Sequence, residues 1–141
     1  MFAVLILGSI VAVLIMRGRG HDASSKEAAL AVVKAVTRDW NPEELRKNAS
    51  EEFKPVASGP SIERAFKLFR QLGNLISLGE ATGSSRATAG FGSVRSGITA
   101  EWAFPAKFAH GDATVRVMLI REGGQWKTQG FYINSEAFLP K

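Results

Sequence analysis

With 141 residues the chain has room for one domain, and 45% hydrophobic with 22% charged residues is the balance of a folded protein rather than a disordered one. It contains no cysteine, which excludes disulfides, thiolate metal sites and cysteine nucleophiles. A net charge of +5 favours anionic partners. The lysines and arginines are scattered, however, so nucleic acid is not an expected partner.

The first sixteen residues carry no charged side chain. As a helix they would span about 24 Å. This is slightly less than the ~30 Å of a bilayer core, and Arg17 and Arg19 could extend it by snorkelling at the interface. The segment therefore predicts a single-pass membrane anchor over 1–20, with Phe2, Leu5, Leu7, Ile10, Val13 and Ile15 in the lipid. A cleaved signal peptide would need basic residues in front and small residues at the cleavage point, and Leu14 to Arg17 offers neither. Arg17, Arg19 and Lys26 all follow the apolar run, which by the positive-inside rule places residues 21–141 on the cytoplasmic side.

Gly18 to Asp22 reads as a linker. Ser24-x-x-Glu27 has the form of a capping box and predicts a helix to about Trp40, with Leu30, Val33, Thr37 and Trp40 on one face. Asn41-Pro42-Glu43-Glu44 predicts a second helix ending by Lys54, with Leu45, Ala49 and Phe53 inward. Asn48-Ala49-Ser50 matches a glycosylation sequon, a weak signal at this length. Gly59-Pro60-Ser61 opens a third helix with an Ile62, Ala65, Phe66, Phe69, Leu72 stripe, stopped at Gly73 or Asn74.

From Leu75 the period changes. Leu75 to Gly83 predicts a first strand, and 82–97, poor in large apolar side chains, a weak strand or long loop. Ile98, Ala100, Trp102, Phe104, Ala106 and Phe108 then alternate strictly, as in a half-buried strand. Pro105 lacks a ladder donor, which predicts an edge or a bulge there. A turn at His110 to Asp112, a strand over Ala113 to Arg121, a hairpin turn at Glu122 to Gln125 and a strand over Trp126 to Asn134 complete the pattern. The expected fold is α+β: three helices packed on one face of an antiparallel sheet.

The stretch from Phe108 through Val115-Arg-Val-Met-Leu-Ile120, Gly124-Gln-Trp126-Lys127 and Gly130-Phe-Tyr-Ile133 resembles the last hairpin of nuclear transport factor 2-like (cystatin-like) domains. The closest likeness is to the small uncharacterised bacterial, membrane-anchored versions. The resemblance implies a curved sheet wrapped around the helices as a cone that often holds a pocket. It also implies an exported or membrane-tethered location, here the bacterial inner membrane with an extracytoplasmic (periplasmic) domain, opposite to the side indicated by the basic flank. The fold marks no single activity.

In enzymes of this kind acids, tyrosine or histidine act inside the cone, so each such residue must be placed. Tyr132 is the only tyrosine, Glu101 falls opposite the aromatic face, and His110 and Asp112 lie in a turn. No acid–base pair lands on the predicted apolar face, so no catalytic residue, cofactor or metal is expected. The expected role is a non-enzymatic, membrane-anchored interaction protein that works with other protein subunits, as a hetero-complex or homo-oligomer. The alternative is a module whose cone, lined by Trp102, Phe104, Trp126 and Tyr132, holds an apolar small molecule; a lyase or isomerase using that pocket is a third reading.

Overall fold

The computed structural model describes residues 8–88 and 97–139, and side chains from His21 onward other than that of Thr88. Phe2, Leu5 and Leu7 therefore lie outside the described residues, and Ile10, Val13, Ile15, Arg17 and Arg19 are described as helical backbone only. The fold is α+β, with a five-stranded antiparallel sheet and its helices ahead of it in the chain.

Helix α1 spans Gly8–Asp39 without a break. The expected linker at Gly18 to Asp22 is thus helical, and the capping box at Ser24 does not form. In place of capping an amide, the Ser24 hydroxyl donates to the His21 carbonyl (3.3 Å) and the Ser25 hydroxyl to the Asp22 carbonyl (3.1 Å). Ala29, Val32, Val33 and Val36 form the buried stripe. Thr37 is buried beside them, its hydroxyl donating to the Val33 carbonyl at 2.7 Å. Among the described residues no helix is long and apolar enough to cross a membrane.

Trp40 ends α1 at φ +48°, a left-handed backbone that costs a non-glycine residue roughly 1–2 kcal/mol. Its indole offsets the strain. Nε1 donates to the Gly73 carbonyl (2.9 Å), and the ring packs among Phe66, Phe69 and Phe108. Gly73 sits at φ +77° and closes the helical half, as its sequence position predicts.

The second predicted helix is cut short, and a further one starts where it was expected to end. Helix α2 is Glu43–Lys47 and α3 is Lys54–Ala57. Asn41 Oδ1 accepts from the Glu43 amide at 3.0 Å, as expected of a cap. Between the two helices the chain runs beside the last strand: Thr128 N–H donates to the Asn48 carbonyl (2.7 Å) and Ser50 N–H to the Thr128 carbonyl (2.9 Å). Leu45, Ala49 and Phe53 are nevertheless all buried. Helix α4, Pro60–Phe69, extends through a single 3₁₀ turn at Arg70–Leu72 and buries Ile62, Phe66, Phe69 and Leu72.

Strands β1 (Leu75–Leu78), β2 (Thr82–Thr88), β3 (Gly97–Phe108), β4 (Gly111–Glu122) and β5 (Gln125–Asn134) form the sheet. β3 is central. β1 and β2 share one of its edges, and β4 then β5 follow on the other. The weak segment after residue 82 is therefore a regular seven-residue strand up to Thr88, and the rest of it lies outside the described residues. The small side chains of β2 fail to announce it because its strand character comes from pairing with β3 rather than from burial.

Pro105 faces the gap between β1 and β2. Leu78 pairs with Ala106 and Thr82 with Ala103, so three residues oppose two. The Pro105 carbonyl accepts from Gly79 N–H (2.6 Å) on that side. A residue in an antiparallel strand points its N–H and C=O the same way, so the missing donor falls where the ladder is already irregular.

Candidate functional site

The two faces of the sheet differ in what they carry. The face toward the helices bears Ala100, Trp102, Phe104 and Ala106 from β3, Val115, Val117 and Leu119 from β4, and Trp126 and Phe131 from β5, all buried. The opposite face bears Thr99, Glu101 and Ala103, flanked by Thr82, Ser84 and Arg86 on one side and Arg116 and Met118 on the other.

Residues 21–26 of α1 are pinned to the inner face at several points. Trp102 Nε1 donates to Ser25 Oγ (2.9 Å) and Trp126 Nε1 to Ser24 Oγ (3.0 Å). Asp22 Oδ1 accepts from both the amide (2.7 Å) and the hydroxyl (2.5 Å) of Ser85 on β2. Lys26 reaches Glu80 at 2.9 Å and lies 5.8 Å from the centre of the Trp102 ring. The His21 ring meets Trp126 edge-on at 6.1 Å, and Arg121 stacks over the same indole at 5.3 Å. Each indole has its polar atom satisfied inside the protein, as buried tryptophans need.

The four residues expected to line an apolar pocket are thus placed as follows. Trp102, Phe104 and Trp126 share the helix-facing side, and the two indoles hold α1. Tyr132 projects from the other face, 56% exposed, with its ring over Gly130. The sequence period puts Tyr132 with Trp126. A bulge intervenes: Met118 pairs with Gly130 but Leu119 with Thr128, so Gln129 is an extra residue and the parity inverts beyond it. Phe131 is turned inward in its place.

Other polar candidates have structural partners. Glu101 Oε2 lies 3.4 Å from Arg116 Nε on the outer face, both side chains about half exposed. His110 Nδ1 is 3.2 Å from the Gln71 carbonyl, and the Asp112 carbonyl accepts from the Ser135 hydroxyl at 2.6 Å. Asn48 Nδ2 donates to Thr128 Oγ1 at 3.4 Å, which engages the sequon amide with β5. Ser50 Oγ donates to Gln129 Oε1 and accepts from the Phe53 amide. Among the described residues no three metal-ligating side chains gather.

Ionisation is perturbed in two places. Arg46 ties α2 to α3 and α4. Its guanidinium bonds Glu63 (2.6 Å) and Glu43, which in that order raise its pKa, and its Nε donates to the Ala57 carbonyl (2.8 Å). At the surface the Lys54 ammonium, 2.6 Å from Glu51, holds that carboxyl below its usual range and is itself raised. Both arrangements are ion pairs within the helical half of the chain.

The outer face, by contrast, holds a depression of about 610 Å³, bordered by Arg86, Glu101, Arg116 and the hydroxyls of Thr82, Ser84 and Thr99. Apart from Glu101, these residues do not stand out in the sequence, because they lie on three strands and come together only through the β2–β3–β4 register. Comparison with known proteins identifies no relative: no family model, no curated protein and no solved structure matches the chain.

Proposed function

We propose that the chain is a membrane-anchored interaction protein, a small accessory or scaffold subunit of a membrane complex, built on a nuclear transport factor 2-like domain. The observation that carries the reading is the continuity of α1. Residues 8–16, the described part of the uncharged apolar run, belong to the same helix whose following turns are pinned to the sheet at Asp22, Ser24, Ser25 and Lys26. An anchor joined to its domain through an unbroken helix sets that domain's orientation, as a scaffold requires and a flexible tether does not provide. The helices-then-meander order supports the family likeness. That likeness favours an extracytoplasmic domain in a bacterial inner membrane, against the basic flank at Arg17 and Arg19.

Three measurements test the reading. The full chain should stay with membranes under alkaline carbonate extraction, and recovery in the supernatant would overturn the anchor. A reporter active only outside the cytoplasm, fused to Lys141, should be active; silence in an expressed fusion would put the domain on the cytoplasmic side. Purified in mild detergent, the protein should run as a stoichiometric assembly with other subunits or with itself. A monomer carrying a bound small molecule would instead favour the alternative, a ligand-binding module. An apolar pocket for that alternative among Trp102, Phe104, Trp126 and Tyr132 has less support, since the first three are packed in the core and the fourth faces away.

A further inference from the structure

The depression on the outer sheet face has a definite origin. Across the strands, one row of side chains reads Thr82, Ala103, Arg116, Tyr132 and the next reads Ser84, Glu101, Met118, Gly130. Thr82, Ser84 and Ala103 are small, Glu101 stands among them on β3, and the longer side chains of Arg86 on β2 and Arg116 on β4 stand at the margin. Its volume of about 610 Å³ is within the roughly 300–1,000 Å³ common for small-molecule sites.

Its chemistry is selective. Two guanidiniums and one carboxylate leave one net positive charge. Arg116 Nε lies at ion-pair distance from Glu101 (3.4 Å), and its terminal guanidinium N–H groups can serve a second acceptor. Arg86 makes no ion pair among the described residues. A guanidinium is a planar fork that matches carboxylate and phosphate oxygens in pairs. The three hydroxyls beside it can donate to or accept from neutral polar groups.

We propose that this depression binds a small molecule carrying a carboxylate or phosphate group, gripped by Arg86 and Arg116 and oriented by Thr82, Ser84 and Thr99. The site is separate from the helix-facing core and does not depend on how the chain is anchored. Glu101 opposes the anion by its charge and sits 3.4 Å from Arg116 Nε.

The test is an NMR titration of the full-length protein in an uncharged detergent, with inorganic phosphate in one arm and succinate in the other. The expected result is saturable shifts confined to Thr82, Ser84, Thr99 and their strand neighbours in at least one arm, the tighter arm identifying the anion. R86M and R116M should each weaken binding about tenfold or more, the value of one charge-assisted hydrogen bond. R86K, which keeps the charge but loses the fork, should weaken it several-fold, and E101Q should tighten it. An unchanged amide spectrum elsewhere shows that each variant is folded. Shifts that rise linearly in both arms, spread equally to Lys34 and Lys54, or persist in R86M and R116M would overturn the proposal.

Discussion

Replacing Ser25 with alanine tests the way α1 is held. Ser25 is fully buried, and its oxygen is the acceptor for the indole N–H of Trp102, itself only 6% exposed. Alanine would leave that donor unpaired, at about 1–3 kcal/mol. It would also improve helix propensity by up to about 0.5 kcal/mol and remove a back-bond to the Asp22 carbonyl that slightly opposes helix formation. The net expected loss is about 1–2 kcal/mol, or a fall in Tm of roughly 4–10 °C for a domain of this size. S24A should cost less, about 0.5 kcal/mol, because Ser24 is only partly buried and water can replace the hydroxyl. Thermal unfolding of the full chain, followed by circular dichroism in mild detergent, gives both values. In a W102F background the donor is gone, so S25A should become neutral or mildly stabilising. An S25A protein as stable as wild type, or an S24A effect larger than that of S25A, would refute the clamp.

Several other outcomes follow from the same geometry. G83A should destabilise the sheet by about 2 kcal/mol or more, measured by urea unfolding, because a Cβ at φ +155° would collide with the Glu101 carbonyl and come within 2.9 Å of Trp102 Cα. G20A should stabilise the protein by about 0.5–1 kcal/mol if α1 runs through residue 20; no change in unfolding would indicate the flexible linker expected from the sequence. The Glu51–Lys54 pair gives a pH signature. A carboxyl whose folded pKa is depressed contributes above its unfolded value and loses that contribution as pH falls through the folded one. The raised Lys54 contributes below its unfolded value and loses it as pH rises through the folded one. An NMR titration should therefore find Glu51 below the ordinary carboxylate range in the native protein and back near it in K54M. An unchanged Glu51 in K54M would assign the depression to another group.

Much of the sheet is readable in the chain because β3 and β4 alternate without interruption, and the turn glycines at 123 and 124 adopt the positive φ their position suggests. What misleads is information held far away in sequence. Ser24 and Glu27 satisfy a local capping pattern, yet the hydroxyls at 24 and 25 are taken by indoles 102 and 77 residues later. The helix expected from Pro42 to Lys54 breaks at Asn48 to Ser50 because the amide and carbonyl of Thr128 on the edge of β5 need partners. Tyr132 falls on the unexpected face because one extra residue, Gln129, inverts the parity of the strand, and the lone glycine beside it, Gly130, was the signal that could have marked that bulge. The outer-face depression was not legible at all, since cross-strand register is what assembles it.

The unbroken α1 also constrains the order in which the molecule can be completed. The helix is made first during synthesis, but the strands that cover its apolar stripe come afterwards, and Trp126 among the last of all. Contacts of such long sequence separation slow folding. Until the β4–β5 hairpin emerges, Val32, Val33 and Val36 have only part of their cover, a few turns beyond an uncharged apolar stretch. A chain stopped before Trp126 would lack the indole that holds Ser24 and the part of the stripe's cover that β5 supplies, next to an uncharged apolar stretch. The last hairpin thus closes the fold as well as extending the sheet, and loss of even a short C-terminal piece that includes it should be felt at the opposite end of the chain.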